Sequence, residues 1–213
     1  IYPSKKYLDI TNFNKIKNYL KKNKANYVIH LAGMSRPMKS HETNLAKSIN
    51  LNIIGTSNLV RACSELKIKI IYFSTSYVYP GKKGNYKETD SVLPWNNYAW
   101  SKLGGECAVR LYDNHLILRM AMNKKPFPHS KALVDMKKSL MYIDDASKVV
   151  LKLLDEKGTI NIGGKSQSVY DFVKESNPSV GKIYLDNIND VSMAKDCSMN
   201  VSKMKRLLND SVI

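Results

Sequence analysis

The chain has 213 residues, of which 43% are apolar, enough to bury the core of one globular unit with at most a small appended lobe. No apolar run approaches the roughly 20 residues of a membrane span, so no membrane-spanning helix is expected. The formal charge of +16 is spread along the chain among Asn and Ile rather than gathered into a basic arm. With no zinc-finger or RNA-recognition signature beside it, that pattern points away from nucleic acid. Cys63, Cys107 and Cys197 are odd in number and scattered. They suit reduced thiols in a cytoplasmic protein and fit neither a disulfide framework nor a zinc site.

In chain order, residues 25–32 (ANYVIHLA) form an apolar run of strand length that ends at Gly33. Residues 44–67 have helical spacing, with Leu45, Ile49, Ile53, Leu59, Val60 and Leu66 as inner positions. Residues 68–73 (IKIIYF) are continuous in the manner of a strand covered on both faces of a parallel sheet. A helix over 98–111 and a strand over 115–119 (HLILR) come next. A helix over 144–154 has the acidic start that suits a helix N-terminus. A short strand over 159–162 closes on Gly163-Gly164, a Ser-capped helix opens at 168–174, and an amphipathic helix covers 201–208. This alternation predicts an α/β fold with a parallel sheet and right-handed crossovers.

The chemistry concentrates at Tyr98-Ala99-Trp100-Ser101-Lys102. Residues four apart share a helix face, so the Lys102 ammonium is placed to lower the pKa of the Tyr98 phenol and make it a proton donor near neutral pH. The same spacing recurs at Tyr2/Lys6, Tyr79/Lys83 and Tyr170/Lys174, so spacing alone does not choose Tyr98. The choice comes from Phe73-Ser74-Thr75-Ser76, where an apolar strand ends in hydroxyl residues upstream of the pair. A strand-end hydroxyl beside a helical Tyr/Lys pair suits carbonyl reduction or carbinol oxidation. The ten glycines form no G-x-G-x-x-G or G-x-x-G-x-x-G loop, the element that cradles a pyrophosphate. A first strand, glycine loop and helix are therefore expected to precede Ile1.

These residues resemble the extended short-chain dehydrogenase/reductases, nearest to the dTDP-4-dehydrorhamnose reductases. Leu8-Asp9-Ile10-Thr11 is similar to the family's segment after its third strand. Val28-Ile29-His30-Leu31-Ala32-Gly33 resembles the H-x-A-G motif, and Asn52-Ile53-Ile54-Gly55-Thr56 the N-x-x-G-T motif. Tyr86-x-Glu88-x-Asp90, then Pro94-x-Asn96-x-Tyr98-x-x-Ser101-Lys102-Leu103-x-Gly105-Glu106, is the most specific match. Asp196-Cys197-Ser198-Met199 resembles the segment before the family's last helix.

The resemblance implies a Rossmann-type doubly wound sheet over 1–118 and 141–163, with a small substrate lobe over 119–140 and 164–213. It implies reduction of a nucleotide-linked 4-keto-6-deoxy sugar by NAD(P)H. Thr75 would hydrogen-bond the sugar C4 oxygen, Tyr98 would donate the proton, and Lys102 would bind the nicotinamide ribose. Asp9, Ile10, His30, Ala32, Gly33 and Asn52 would line the cofactor. Arg36, Ser76 and His129 are substrate candidates; a strand-end histidine with purely internal partners is an equal reading of His30. Ile1-Tyr2 reads as the end of the second strand, so Lys5 and Lys6 stand where a 2′-phosphate is met, which favours NADP(H) over NAD(H). A homodimer is expected through the helices at 44–67 and 98–111, which carry more apolar positions than one sheet-facing stripe requires.

The chain also departs from the family pattern. The stretch from Arg119 to Met141 is shorter than the usual substrate insertion, and Ser76 stands where the sugar dehydratases carry an acid. A nucleotide-sugar 4-epimerase with bound NAD, and a non-catalytic regulatory or structural relative, are the alternative readings.

Overall fold

The structure is a computed structural model and describes residues 1, 3–189 and 191–210. Two compact units divide the chain: residues 1–74 with 97–117, and residues 75–96 with 118–213.

In the first unit, Ser4–Tyr7 form a turn closed by the Tyr7 and Leu8 amides on the Ser4 carbonyl, and Ile1 is not in a strand. The strand end expected at residues 1–2 is thus not formed at Ile1, and Tyr2 lies outside the described residues. Helix α1 (Phe13–Lys22) starts where the Asn12 side chain accepts from the Lys15 amide at 2.9 Å. It ends in Lys21 and Lys22, which suit the negative end of the helix dipole. Its buried stripe, Ile16 and Leu20, is diluted by lysine and asparagine, which hides this helix in the sequence. Strand β1 (Tyr27–His30) follows, and then helices α2 (Lys39–Thr43) and α3 (Leu45–Ser48). A π-helical turn over Ile49–Ile54 leads into α4 (Gly55–Leu66). The single helix predicted over 44–67 is therefore three helical segments in series, the middle one wound wider.

Strand β2 (Lys69–Thr75) lies parallel to β1 in the register Tyr27↔Lys69 to His30↔Tyr72. Helix α5 (Asn97–Arg110) and strand β3 (His115–Met120) complete this unit, the second half of β3 belonging to the other. The core joins Ile16 and Leu20 of α1, Leu59, Val60 and Cys63 of α4, Ile70 and Tyr72 of β2, Val109 and Ile117. At the sheet edge, Tyr27 and Ile29 of β1 are exposed while His30 is buried.

The second unit carries four short strands after β3: β4 (Met122–Asn123), β5 (Lys131–Leu133), β6 (Lys137–Lys138) and β7 (Met141–Tyr142). Helix α6 (Ile143–Lys152) and strand β8 (Gly158–Ile162) come next. Then follow β9 (Gln167–Ser168), α7 (Val169–Lys174), β10 (Gly181–Ile183) and α8 (Ser202–Asp210). Three small ladders pair β4 with β7, β5 with β10, and β6 with β9, the last antiparallel. A core of Met136, Leu140, Val169, Phe172, Val173 and Val180 holds them. The main sheet is parallel, in the order β1-β2-β3-β8. This is the parallel α/β arrangement that the alternation predicts, of the Rossmann type that the resemblance implies. Among the described residues no helix is long and apolar enough to cross a membrane, and no group of three or more His, Cys, Asp or Glu is placed to hold a metal ion.

Candidate active site

Helix α5 carries Tyr98 and Lys102 one turn apart, and its start is held from outside. The Glu42 carboxylate of α2 accepts from the Asn97 amide at 3.0 Å and from the Asn97 side chain, satisfying a donor that the first turn leaves without a helical partner. The neighbouring His41, fully buried, sets its ring edge-on to Tyr98 with centroids 5.2 Å apart. Ser101 donates to the Tyr98 carbonyl at 2.7 Å and receives the Asn52 amide at 2.8 Å. The Lys102 ammonium lies 4.2 Å from the centre of the Tyr72 ring, and the Tyr72 hydroxyl donates to the Lys102 carbonyl at 2.9 Å. This close approach requires Gly105. A Cβ there would stand 2.5 Å from the Tyr72 hydroxyl and 2.7 Å from the Asn52 carbonyl.

Asn52, in the π-helical turn and buried, ties α5 to the chain that leaves β1. Its amide donates to the Met34 carbonyl at 2.8 Å, and its oxygen accepts from the Met34 amide at 2.7 Å. Gly33 is small for the same reason, since a Cβ would come within 2.8 Å of the Asn52 oxygen. His30 is buried with Nε2 against the Thr56 hydroxyl at 2.9 Å, and its Nδ1 has no partner among the described residues. Burial, with a smaller push from the Lys102 charge, lowers its pKa from 6.5 to about 3, so the ring is neutral. His41 is lowered too, chiefly by burial; its Nδ1 meets the Ser48 hydroxyl and its Nε2 has no partner among the described residues. Burial lowers Lys102 from 10.5 to about 7, against the opposing pull of the Glu106 carboxylate. Tyr72 is pushed well above 10, by burial first and by its neighbours Tyr98 and Glu106 next.

Beside these groups, still within the first unit, a cleft of about 370 Å³ is lined by Lys5, Asp9, Thr11, Ala46, Lys47, Asn50 and Leu51. Asp9 is fixed there by the Thr11 amide at 2.9 Å and hydroxyl at 2.8 Å. Of the residues assigned to a cofactor, Lys5 and Asp9 line this cleft. Lys6, Ala32 and Gly33 are exposed, and the Ile10 side chain sits in the core with only its carbonyl reached, by Asn58 at 3.2 Å. Arg36 lines a second cleft of about 360 Å³ with Met34, Pro37, Ser40, Thr43, Asn44 and Lys47.

In the second unit, Thr75 is buried and accepts from the Tyr77 amide at 3.3 Å, capping a 3₁₀ turn. Ser76 is fully buried with its hydroxyl unpartnered among the described residues. His129 is exposed, edge-on to Phe127 with centroids 5.4 Å apart. Sequence reasoning passed over His41, Glu42, Tyr72 and Lys47, and gave Glu106 no role. Only Glu106 left a signal, as an acid four residues beyond Lys102 on the helix.

Against known proteins, the family model described as RmlD substrate binding domain matches residues 1–123. A dTDP-4-dehydrorhamnose reductase of Mycobacterium tuberculosis is 40% identical over 73 residues, covering 32% of this chain and 24% of that protein. The methionine adenosyltransferase 2 subunit beta of Xenopus tropicalis is 30% identical over 112 residues, covering 53% and 33%. The matched stretches thus span about a quarter to a third of these relatives. The crystal structure of a Bacillus anthracis dTDP-4-dehydrorhamnose reductase in complex with NADP superposes with a TM-score of 0.87 at 23% identity, over 98% of this chain and 83% of that one. At that identity the superposition establishes the fold, whereas the family model covers more than half of the chain together with the motifs at Asp9, His30, Asn52 and Lys102. The chain therefore belongs to the RmlD substrate binding domain family.

Proposed function

We propose that this chain serves in the NADP(H)-dependent reduction of a nucleotide-linked 4-keto-6-deoxy sugar. The observation that carries this reading is helix α5, where Tyr98 and Lys102 are held one turn apart by Glu42, Tyr72 and Asn52. Two of the named relatives are dTDP-4-dehydrorhamnose reductases, one of them with NADP bound. The site fits such a cofactor: Lys5 and Lys47 put positive charge in a cleft sized for part of a nucleotide, and buried ring nitrogens of His30 and His41 lack partners among the described residues. Lys5, Asp9 and Lys47 would hold the adenosine end and Lys102 the nicotinamide ribose. When bound, the reduced nicotinamide supplies a hydride.

Tyr98 gives its phenolic proton to the oxygen that becomes the sugar C4 hydroxyl, and the Lys102 ammonium offsets the charge left on the phenolate. Thr75 is the hydrogen-bond donor to that oxygen, an assignment resting on the family motif and on its buried strand-end hydroxyl. Ser76, whose buried hydroxyl lacks a partner among the described residues, and Arg36 and His129 are the substrate contacts of this reading. The division into a dinucleotide domain (1–118, 141–163) and a substrate lobe (119–140, 164–213) belongs to the same proposal, as does a cytoplasmic site of action.

The exposed apolar side chains of the first unit support a homodimer. Leu45, Ile49 and Ile54 before α4, and Trp100 and Leu111 along and just beyond α5, are 37–87% exposed. A second reading, a non-catalytic subunit of another enzyme, is favoured by the match to a methionine adenosyltransferase subunit. Steady-state kinetics with a dTDP-4-keto-6-deoxy sugar decide between them. We expect stoichiometric consumption of NADPH, and a Tyr98→Phe variant that loses kcat by orders of magnitude with little change in cofactor affinity. Absence of NADPH consumption with tight binding to a partner enzyme would establish the second reading; interconversion of sugar epimers without net consumption would point to an epimerase.

A further inference from the structure

Glu106 is a fully buried carboxylate on the same helix as the reacting pair, one turn beyond Lys102. Each of its oxygens has a partner. Ser74, the last residue of β2 within this unit, donates to Oε2 at 2.9 Å; Arg110 donates to Oε1 through Nε at 3.3 Å and Nη2 at 3.2 Å. Arg110 reaches it from a side chain that is 47% exposed, so the carboxylate is anchored at the dry end and tethered at the wet one. A charge in such a place is costly, and an apolar side chain of similar size would serve packing at least as well. The expense calls for a use, and the spacing supplies one, because residues four apart meet on a helix surface.

We propose that Glu106 is a positioning residue for Lys102: its anchored carboxylate keeps the neighbouring ammonium charged and directed over the Tyr72 face, where the reaction draws on it. The inference rests on the reductase reading for what Lys102 does, and on helix spacing, the burial of Glu106 and its pull on the ammonium for what Glu106 does to Lys102. Among the described residues, the Glu42 carboxylate of α2 is engaged by Asn97 at the start of the helix, and the buried rings nearer Lys102 are uncharged. From β1 comes His30 and from α2 His41, both held neutral by burial. From β2 comes the Tyr72 phenol, held protonated. On α5 itself stand Tyr98, Cys107 and the cationic Arg110. Glu106 is the charge that opposes the desolvation of Lys102.

The test is a direct titration of Lys102 in the chain labelled with ¹³C at the lysine ε-carbons, its signal identified by its loss in Lys102→Met. In Glu106→Gln the midpoint should fall by about one pH unit or more, the size expected for losing an adjacent opposite charge. In Arg110→Met, which removes the competing cation, it should rise. The alkaline limb of kcat should move with the midpoint in each variant. An unmoved midpoint in Glu106→Gln, even with reduced thermal stability, would show a structural carboxylate only and overturn the proposal. Should Glu106→Gln fail to fold, Arg110→Met decides, and a midpoint that stays or falls there overturns it equally. Midpoints that shift as expected in a protein that consumes no NADPH would leave the role of Glu106 intact and remove the reductase reading.

Discussion

Replacing Asn52 by Ala removes three hydrogen bonds at once: two to the Met34 backbone, at 2.8 and 2.7 Å, and one to the Ser101 hydroxyl at 2.8 Å. A typical internal hydrogen bond contributes about 1 kcal/mol net, and a buried group left unpaired costs more. Met34 is only half-buried, so water replaces part of its loss, whereas the Ser101 hydroxyl is buried and keeps only its bond to the Tyr98 carbonyl. The sum is about 2–3 kcal/mol, which for a chain of this size lowers Tm by about 5–10 °C. Urea unfolding followed by far-ultraviolet circular dichroism measures it, with Ser101→Ala and the double variant completing a cycle. The two side chains should show an interaction energy of about 1 kcal/mol. A loss below about 1 kcal/mol in Asn52→Ala, or strict additivity in the cycle, would refute the assignment of Asn52 as the tie between the end of β1 and α5.

Gly105→Ala should destabilise by about 1–3 kcal/mol, because its Cβ would meet the Tyr72 hydroxyl and the Asn52 carbonyl at 2.5 and 2.7 Å; adding Tyr72→Phe should recover part of this in the same unfolding assay. His30 has a folded pKa of about 3 against 6.5 unfolded, so below 6.5 the unfolded chain binds the extra proton and stability falls as pH falls through that window. The unfolding free energy from urea titration should therefore fall by about 1.4 kcal/mol per pH unit less in His30→Gln than in the unsubstituted chain between pH 6 and 4. Lys5→Ala/Lys6→Ala should shift the kcat/KM ratio of NADPH to NADH by about tenfold or more, and an unmoved ratio would remove these lysines from cofactor choice. Trp100→Glu with Leu111→Lys should convert a dimer to monomer in sedimentation velocity while leaving the thermal transition of the monomer in place.

How much of this was legible beforehand depends on the distance over which each feature is decided. Strands β1, β2, β3 and β8 and helices α4 to α8 were readable because apolar runs and 3.6-residue stripes are local consequences of burial on one or two faces. The Tyr98/Lys102 pair was readable because helical spacing alone brings positions four apart together. Helix α1 escaped because lysine and asparagine dilute its Ile16/Leu20 stripe, and the wider turn over Ile49–Ile54 escaped because it shifts the hydrogen-bond ladder without changing which residues look helical. Ile10 shows the limit of motif matching: a sequence position beside the cleft does not say which way its side chain turns, and this one is drawn into the core. The surroundings of Lys102 could be decided only in three dimensions. Ser74 stands 32 residues from Glu106 and Tyr72 stands 30 from Lys102, and the burial that lowers the lysine exists only once such distant segments are packed together. The sequence by itself determined which chemical groups the site owns; the tertiary structure decided their protonation, because burial and distance between separate elements, rather than residue identity, set the cost of a charge.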